Sequence, residues 1–232
     1  MIIMARKILW LALAAAACGG SPDGGAEARA GSERAAREWA DAPVVLFLGT
    51  SITAGYGLDV ELAYPALIQN EIDAAELDYR VVNAGVSGET SAGGLRRIDW
   101  LLREPVAVLV LELGANDGLR GLDPGEMQRN LAEIIARTRA AYADVRVVVA
   151  GMEAPPNFGR SYTAAFRRVF QDLAREADAV LIPFLLDGVG GIPALNQADG
   201  IHPTVEGQEI VAANVWEVLE PVLVGRPAGS RR

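Results

Sequence analysis

Three short apolar runs constrain this chain more than any other feature in it. Val44-Val45-Leu46-Phe47-Leu48, Val106 to Leu111 and Val145 to Ala150 are largely β-branched residues or leucine, and they do not alternate with polar residues. A strand with one wet face alternates with period two, so continuous runs describe strands buried on both faces, as in a parallel sheet covered by helices. Arg80-Val81-Val82 and Ala179-Val180-Leu181-Ile182 are shorter candidates for two more strands. Helical patterns separate the runs. The clearest begins at Asp123-Pro124-Gly125-Glu126, where Asp caps, Pro fills the first turn and Glu stands three residues after the cap. Met127, Leu131, Ile134 and Ile135 then fall on one stripe, and a last helix is expected from about Thr204 to Leu219. This alternation predicts an α/β fold: a single-domain, three-layer α/β/α arrangement on a parallel five-stranded sheet. In such sheets the functional groups gather beyond the carboxyl ends of the strands.

The segments at those ends carry reactive chemistry. Gly49-Thr50-Ser51-Ile52 follows the first strand directly, which sets the Ser51 hydroxyl at a turn where it can attack a carbonyl. Asp199-Gly200-Ile201-His202-Pro203 precedes the last helix and contains the only histidine of the chain. An acid three residues before an imidazole can fix its tautomer and stabilise its protonated form. Asn83-Ala84-Gly85-Val86-Ser87-Gly88 offers the Gly85 backbone N–H, and Gly114-Ala115-Asn116-Asp117 offers the Asn116 side-chain amide. Both can donate to a developing oxyanion. Gly88 to Gly93 has the spacing of a phosphate loop, but Gly94 stands where lysine is needed. Thr53 occupies the last position of a Gly-x-Ser-x-Gly elbow, which excludes the α/β-hydrolase pattern.

In order and residue by residue, these four segments resemble the blocks of the SGNH (GDSL) hydrolases, most of all the periplasmic thioesterase I, lysophospholipase and arylesterase group. The likeness runs from Val44 to about Leu223 and takes in Thr53 to Leu58, Asn83 to Gly94, Glu112 to Gly121 and Leu195 to Pro203. It implies a flavodoxin-like SGNH fold with Ser51 as nucleophile, His202 as general base and Asp199 as its orienting acid. Asp117 and Asp187 are weaker alternatives for the acid. The oxyanion donors implied are the Ser51 N–H, Gly85 and Asn116, and no metal or organic cofactor is required. One position departs from the family signature Gly-Asp-Ser-Leu, because Thr50 stands where the aspartate would be. That aspartate is not a member of the triad. Thr50 is therefore expected to retune local hydrogen bonding, its hydroxyl bonding nearby backbone, without abolishing attack.

Met1 to Lys7 is short and basic, Ile8 to Ala17 is apolar, and the run closes on small residues. Residues 1–17 therefore read as a secretory signal peptide, too short to span a bilayer core of roughly 30 Å. Leu13 to Cys18 resembles a bacterial lipoprotein signal, in which the cysteine is lipidated; the alternative is ordinary cleavage at an Ala-x-Ala site. Residues 18–41 read as a flexible tether with a short helix around Glu33 to Trp39, followed by a hydrolase domain over 42–224 and a disordered tail over 225–232. One cysteine allows no internal disulfide. The net charge of −9 disfavours nucleic acid as a partner. The expected protein is an exported monomer, periplasmic or held to a bacterial envelope membrane through lipidated Cys18.

The leading functional expectation is hydrolysis of a small acyl ester or thioester by an acyl-enzyme on Ser51. Its acyl pocket is expected between the loops at Glu112 to Gly121 and Ala154 to Tyr162, with Pro155-Pro156-Asn157-Phe158-Gly159 as a wall. A polysaccharide or other carbohydrate O-deacetylase of the same fold is one alternative, opposed by the thioesterase-like Glu112 to Gly121. A noncatalytic envelope lipoprotein is another, opposed by the intact Ser51, Asn116, Asp199 and His202.

Overall fold

The apolar runs are strands, and the most continuous of them lies in the middle of the sheet. The computed structural model describes residues 41–225. The expected signal peptide, Cys18, the tether through Ala40 with its short helix, and the tail beyond Gly225 lie outside the described residues. The strands are β1 (Val44–Gly49), β2 (Arg80–Gly85), β3 (Val106–Glu112), β4 (Arg146–Ala150) and β5 (Val180–Ile182). All neighbouring pairs are parallel, in the order β2-β1-β3-β4-β5. β1 is buried at every position, whereas β2 and β5 are edge strands and only partly buried. Edge strands need fewer apolar residues, which is why their runs are the weaker ones in the sequence.

Helices cover both faces. α1 (Ser51–Ala54) and α2 (Tyr64–Ala74) follow β1, and α3 (Ser91–Leu101) follows β2. α4 (Ala115–Leu119) and α5 (Pro124–Ala141) follow β3, α6 (Arg160–Glu176) follows β4, and α7 (Val205–Leu223) closes the described chain. α5 packs against both α3 and α6 in one layer, and α2 packs against α7 in the other. The α5 start forms as its sequence dictates, with the Asp123 carboxylate accepting from Gly125 N at 3.2 Å and Glu126 N at 3.1 Å. Its stripe of Met127, Leu131, Ile134 and Ile135 is buried. α7 is capped by Thr204 and runs beyond the expected Leu219 to Leu223, because Val222 and Leu223 continue its buried face.

Strand order places the site. The chain leaves β1 toward β2 on one side and returns to β3 on the other, so a crevice opens between the carboxyl ends of β1 and β3. In register, Gly49 at the end of β1 stands beside Gly85 of β2 and Glu112 of β3. Every segment that the sequence marks as reactive leaves the sheet at or near this edge, apart from the loop before α7.

Candidate active site

α1 is too short to be stable alone, since helix nucleation fixes several residues for the first hydrogen bond. It is held from outside. Thr50 enters it in an extended conformation, and Gly55 leaves it in the left-handed region at φ 69°, where glycine is unstrained. The Ser51 hydroxyl at its first residue lies 2.9 Å from His202 Nε2. His202 Nδ1 lies 2.6 Å from Asp199 Oδ2. An ionised carboxylate only accepts, so Nδ1 carries the ring proton, and the Nε2 lone pair accepts from the Ser51 O–H. The hydrogen bond from His202, followed by those from the Ile201 and His202 amides, holds the Asp199 carboxyl at about 2. Of the three acids named from the sequence, Asp199 is the one bonded to the imidazole. Asp117 is buried and accepts from Ser91 N at 2.8 Å and Ser91 Oγ at 2.6 Å, anchoring the start of α3.

Two residues that sequence reasoning passed over hold the histidine loop. The Tyr56 ring lies against the imidazole, with centroids 4.5 Å apart and a tilt of 36°. Gln197 Nε2 donates to Tyr56 O at 2.7 Å and Pro203 O at 3.0 Å, while Gln197 N donates to His202 O at 2.7 Å. The loop after α1 is thereby tied to the loop before α7. Their local sequence signal is slight: an aromatic after Gly55, and a glutamine two residues before Asp199.

Beneath Ser51 lies a carboxylate that the sequence reading treated only as the start of a loop. Glu112 is fully buried. It accepts from Thr50 N at 2.8 Å, from Thr50 Oγ1 at 3.0 and 3.1 Å, and from Thr53 Oγ1 at 2.8 Å. The Thr50 hydroxyl thus bonds a carboxylate carried by β3, a correction to the expectation that it would bond nearby backbone. Gly49 has no side chain for a steric reason, since a Cβ there would lie 2.6 Å from Glu112 Oε2. Gln208 of α7 fastens the turn from the other side, donating from Nε2 to Ile52 O at 3.3 Å and accepting from Tyr64 N at 2.9 Å.

The oxyanion side requires a second correction. Gly85 is the last residue of β2, and its N–H donates to Asn83 Oδ1 at 3.0 Å. Gly85 does not line the cavity at Ser51; Gly88 does. Gly88 sits in a turn at φ 77°, and among the described residues no protein acceptor takes its N–H. The strand continues farther than its apolar run, which moves the exposed amide three residues on. Asn116 lines the same cavity and donates through Nδ2 to Glu89 O at 3.0 Å. A primary amide has two N–H groups, so one remains for a ligand. Arg97 braces this wall, bonding the Glu89 carboxylate at 2.5 to 2.9 Å and Ala84 O at 2.7 Å. The Ser51 amide is likewise without a protein acceptor among the described residues.

The cavity beside Ser51 has a volume of about 330 Å³, within the range of small-molecule sites. Ala115, Asn116 and Leu119 line it, as expected for the Glu112 to Gly121 loop. The opposite wall is not Pro155 to Gly159. It is formed by Leu186, Gly190, Gly191 and Ile201, with Met152 and Glu153 contributing from the end of β4. Phe158 is instead committed to Tyr162, with ring centroids 5.2 Å apart, and to the space over Gly121. No group of His, Cys, Asp and Glu suited to a metal occurs among the described residues.

Residues 47–210 match the GDSL-like Lipase/Acylhydrolase family. The chain is 46% identical over 185 residues to Esterase TesA of Pseudomonas aeruginosa, covering 79% of this chain and 91% of that protein. It is 39% identical over 186 residues to Thioesterase 1/protease 1/lysophospholipase L1 of Escherichia coli K12, covering 79% and 86%. The crystal structure of TesA superposes with a TM-score of 0.74 at 45% identity, over 77% of this chain and 99% of that one. With more than half of its length inside the family match and its core on the same fold, the chain belongs to the GDSL-like lipase/acylhydrolase family.

Proposed function

We propose that this family member hydrolyses carboxylic esters and thioesters through an acyl-enzyme on Ser51. The observation that carries the proposal is the continuous relay from Ser51 Oγ through His202 to Asp199, at 2.9 and 2.6 Å. As Oγ attacks the carbonyl carbon, His202 Nε2 takes its proton and the carbonyl π electrons move to oxygen. That oxygen is held by the Ser51 N–H, the Asn116 amide and the Gly88 N–H, the last in place of Gly85. Collapse of the tetrahedral species expels an alkoxide or thiolate, which takes the proton back from Nε2. A water molecule, deprotonated by the same nitrogen, then attacks the acyl-enzyme and releases the carboxylic acid and free Ser51. Leu119, Met152, Leu186 and Ile201 supply the apolar surface for the acyl chain. The esterase and thioesterase names of the relatives support both leaving groups.

The basic and apolar segments of residues 1–17 support action after export, and Cys18 supports a lipid tether. The full chain, Ser51→Ala and His202→Ala are assayed on aryl esters of increasing acyl length. Each substitution is expected to lower kcat by about 10⁴-fold or more. Equal turnover by the three proteins refutes the mechanism.

A further inference from the structure

The hydrolytic cycle assigns no role to the buried carboxylate beneath Ser51. Glu112 is an unusual residue to find at the end of a buried central strand, because a lone carboxylate is expelled from apolar surroundings unless donors replace its water. Among the described residues no arginine is bonded to it, and its hydrogen-bond donors come from the nucleophile turn: the Thr50 N–H and O–H and the Thr53 O–H. Thr53 Oγ1 also lies 2.8 Å from the Tyr64 hydroxyl. The single Thr53 hydroxyl proton is directed at Glu112, so Tyr64 is the donor in that contact and the protons run from Tyr64 to Thr53 to Glu112. Every hydrogen bond to Glu112 is thus oriented with the turn donating, which suits a carboxylate that only accepts.

We propose that Glu112 is a positioning residue for the nucleophile: its buried carboxylate grips Thr50 and Thr53 on either side of Ser51 and keeps the Ser51 hydroxyl and amide aligned with His202 and the oxyanion site. Thr50 is the neutral donor that lets one carboxylate do this. The proposal rests on Ser51 being the nucleophile. The groups facing Glu112 are Thr50 and Thr53 from the turn, the Gly49 backbone from β1, and Tyr64 from α2. Arg97 lies behind Gly49 and reaches its carbonyl at 3.5 Å. Burial holds Glu112 above the ordinary carboxylate range, and the threonine donors offset only part of that rise. Burial, followed by the Glu112 charge, holds the Tyr64 phenol well above its ordinary value, so Tyr64 does not titrate near neutral pH.

Position 50 therefore decides the charge under the serine. An aspartate there would set a second carboxyl against Glu112, and two carboxylates in contact cannot both ionise, so the pair would share a proton. Losing that proton as pH rises would drive the turn apart. The natural threonine removes this titration.

The test uses the full chain on an aryl ester across pH, with Glu112→Gln, Thr50→Val, Thr50→Asp and Thr50→Asp/Glu112→Gln, and thermal unfolding of each. Glu112→Gln puts an N–H₂ where the Thr50 and Thr53 hydroxyls now donate, so a hydroxyl must turn round to accept it and the turn is re-aimed; kcat is expected to fall by about 10- to 100-fold with KM within about twofold. Thr50→Val keeps the carboxylate and the backbone bond, and falls between Glu112→Gln and the natural protein. Thr50→Asp is expected to stay within about 100-fold of natural activity at neutral pH and to gain an alkaline fall in kcat that the natural protein lacks. The double variant restores a single carboxylate facing an amide donor, so the alkaline fall disappears and kcat rises above that of Glu112→Gln. Full kcat in folded Glu112→Gln, or an alkaline fall that persists in the double variant, overturns the proposal. Should Glu112→Gln fail to fold, the pH profiles of Thr50→Asp and the double variant decide it. Ser51→Ala separates the two levels: retained activity refutes the nucleophile, whereas an inactive Ser51→Ala beside a fully active Glu112→Gln refutes the positioning role alone.

Discussion

Replacing Asp199 by asparagine interrogates the relay at its outermost link. In the structure Asp199 Oδ1 accepts from Ile201 N at 3.0 Å and His202 N at 3.1 Å, and Oδ2 faces His202 Nδ1 at 2.6 Å. Asparagine has the same shape and keeps one oxygen for the two backbone amides, so the loop stays in place. Its other terminus becomes an N–H₂ that only donates. His202 Nδ1 must then accept, and the ring proton moves to Nε2, where the lone pair for the Ser51 proton had been. The base is present but in the wrong tautomer. In a triad with a buried acid this exchange lowers kcat by about 10⁴-fold. Here the Asp199 side chain is 38% exposed, so water competes for Nδ1 and restores part of the correct tautomer. The expected fall in kcat is about 10²- to 10³-fold. No bond to substrate is removed, so KM should stay within about twofold. Pre-steady-state release of the aryl alcohol, followed by steady-state turnover, measures acylation and the full cycle in one experiment. Turnover within tenfold of the natural protein would refute the claim that this carboxylate sets the tautomer.

Asn116→Ala removes an oxyanion donor whose other hydrogen is tied to Glu89 O, and is expected to lower kcat by about 10²- to 10³-fold while leaving the unfolding midpoint nearly unchanged. Leu186→Trp should fill part of the 330 Å³ cavity, so kcat/KM for long acyl esters falls steeply while acetate esters are little affected; equal loss across the series would place the acyl chain elsewhere. The Asp199 carboxyl is depressed to about 2 in the folded protein. Its contribution to stability is therefore complete above the ordinary aspartate range near 4, and is lost as pH falls from there toward 2. Denaturant unfolding at pH 5 and pH 2.5 should show a smaller drop in Asp199→Asn than in the natural protein.

Residues 44–48, 106–111 and 145–150 were legible as central strands because burial on both faces leaves a local mark, a run without polar interruption. The Asp123 cap and the stripe of α5 were legible for the same reason, as both are set within one or two helical turns. The segments that leave the strand ends fall at one edge of the sheet, where Ser51 and Asn116 stand, and the loop before α7 brings Asp199 and His202 to them. Gly85 was misjudged where a strand boundary decided the matter. β2 runs on to Gly85, Asn83 takes its amide, and the free N–H and the cavity wall fall to Gly88. The aromatic segment at Pro155 to Gly159 was misjudged because apolar composition says that a surface is covered without saying by what.

What the sequence determined by itself is the fold class and the order of the reactive segments, since strand and helix periodicities and cap residues are local properties of the chain. Only the tertiary structure decided which groups meet. Ser51 and His202 are 151 positions apart, and Thr50 and Glu112 are 62 apart, so neither contact has a local signature. A glutamate closing an apolar strand reads as the point where the chain turns to solvent, and Thr50 reads as a lost family aspartate. Brought together by the parallel pairing of β1 and β3, they are a buried carboxylate and the hydroxyl that satisfies it. The physical reason is that burial and hydrogen bonding depend on neighbours in space, which the register of the sheet supplies and sequence spacing does not.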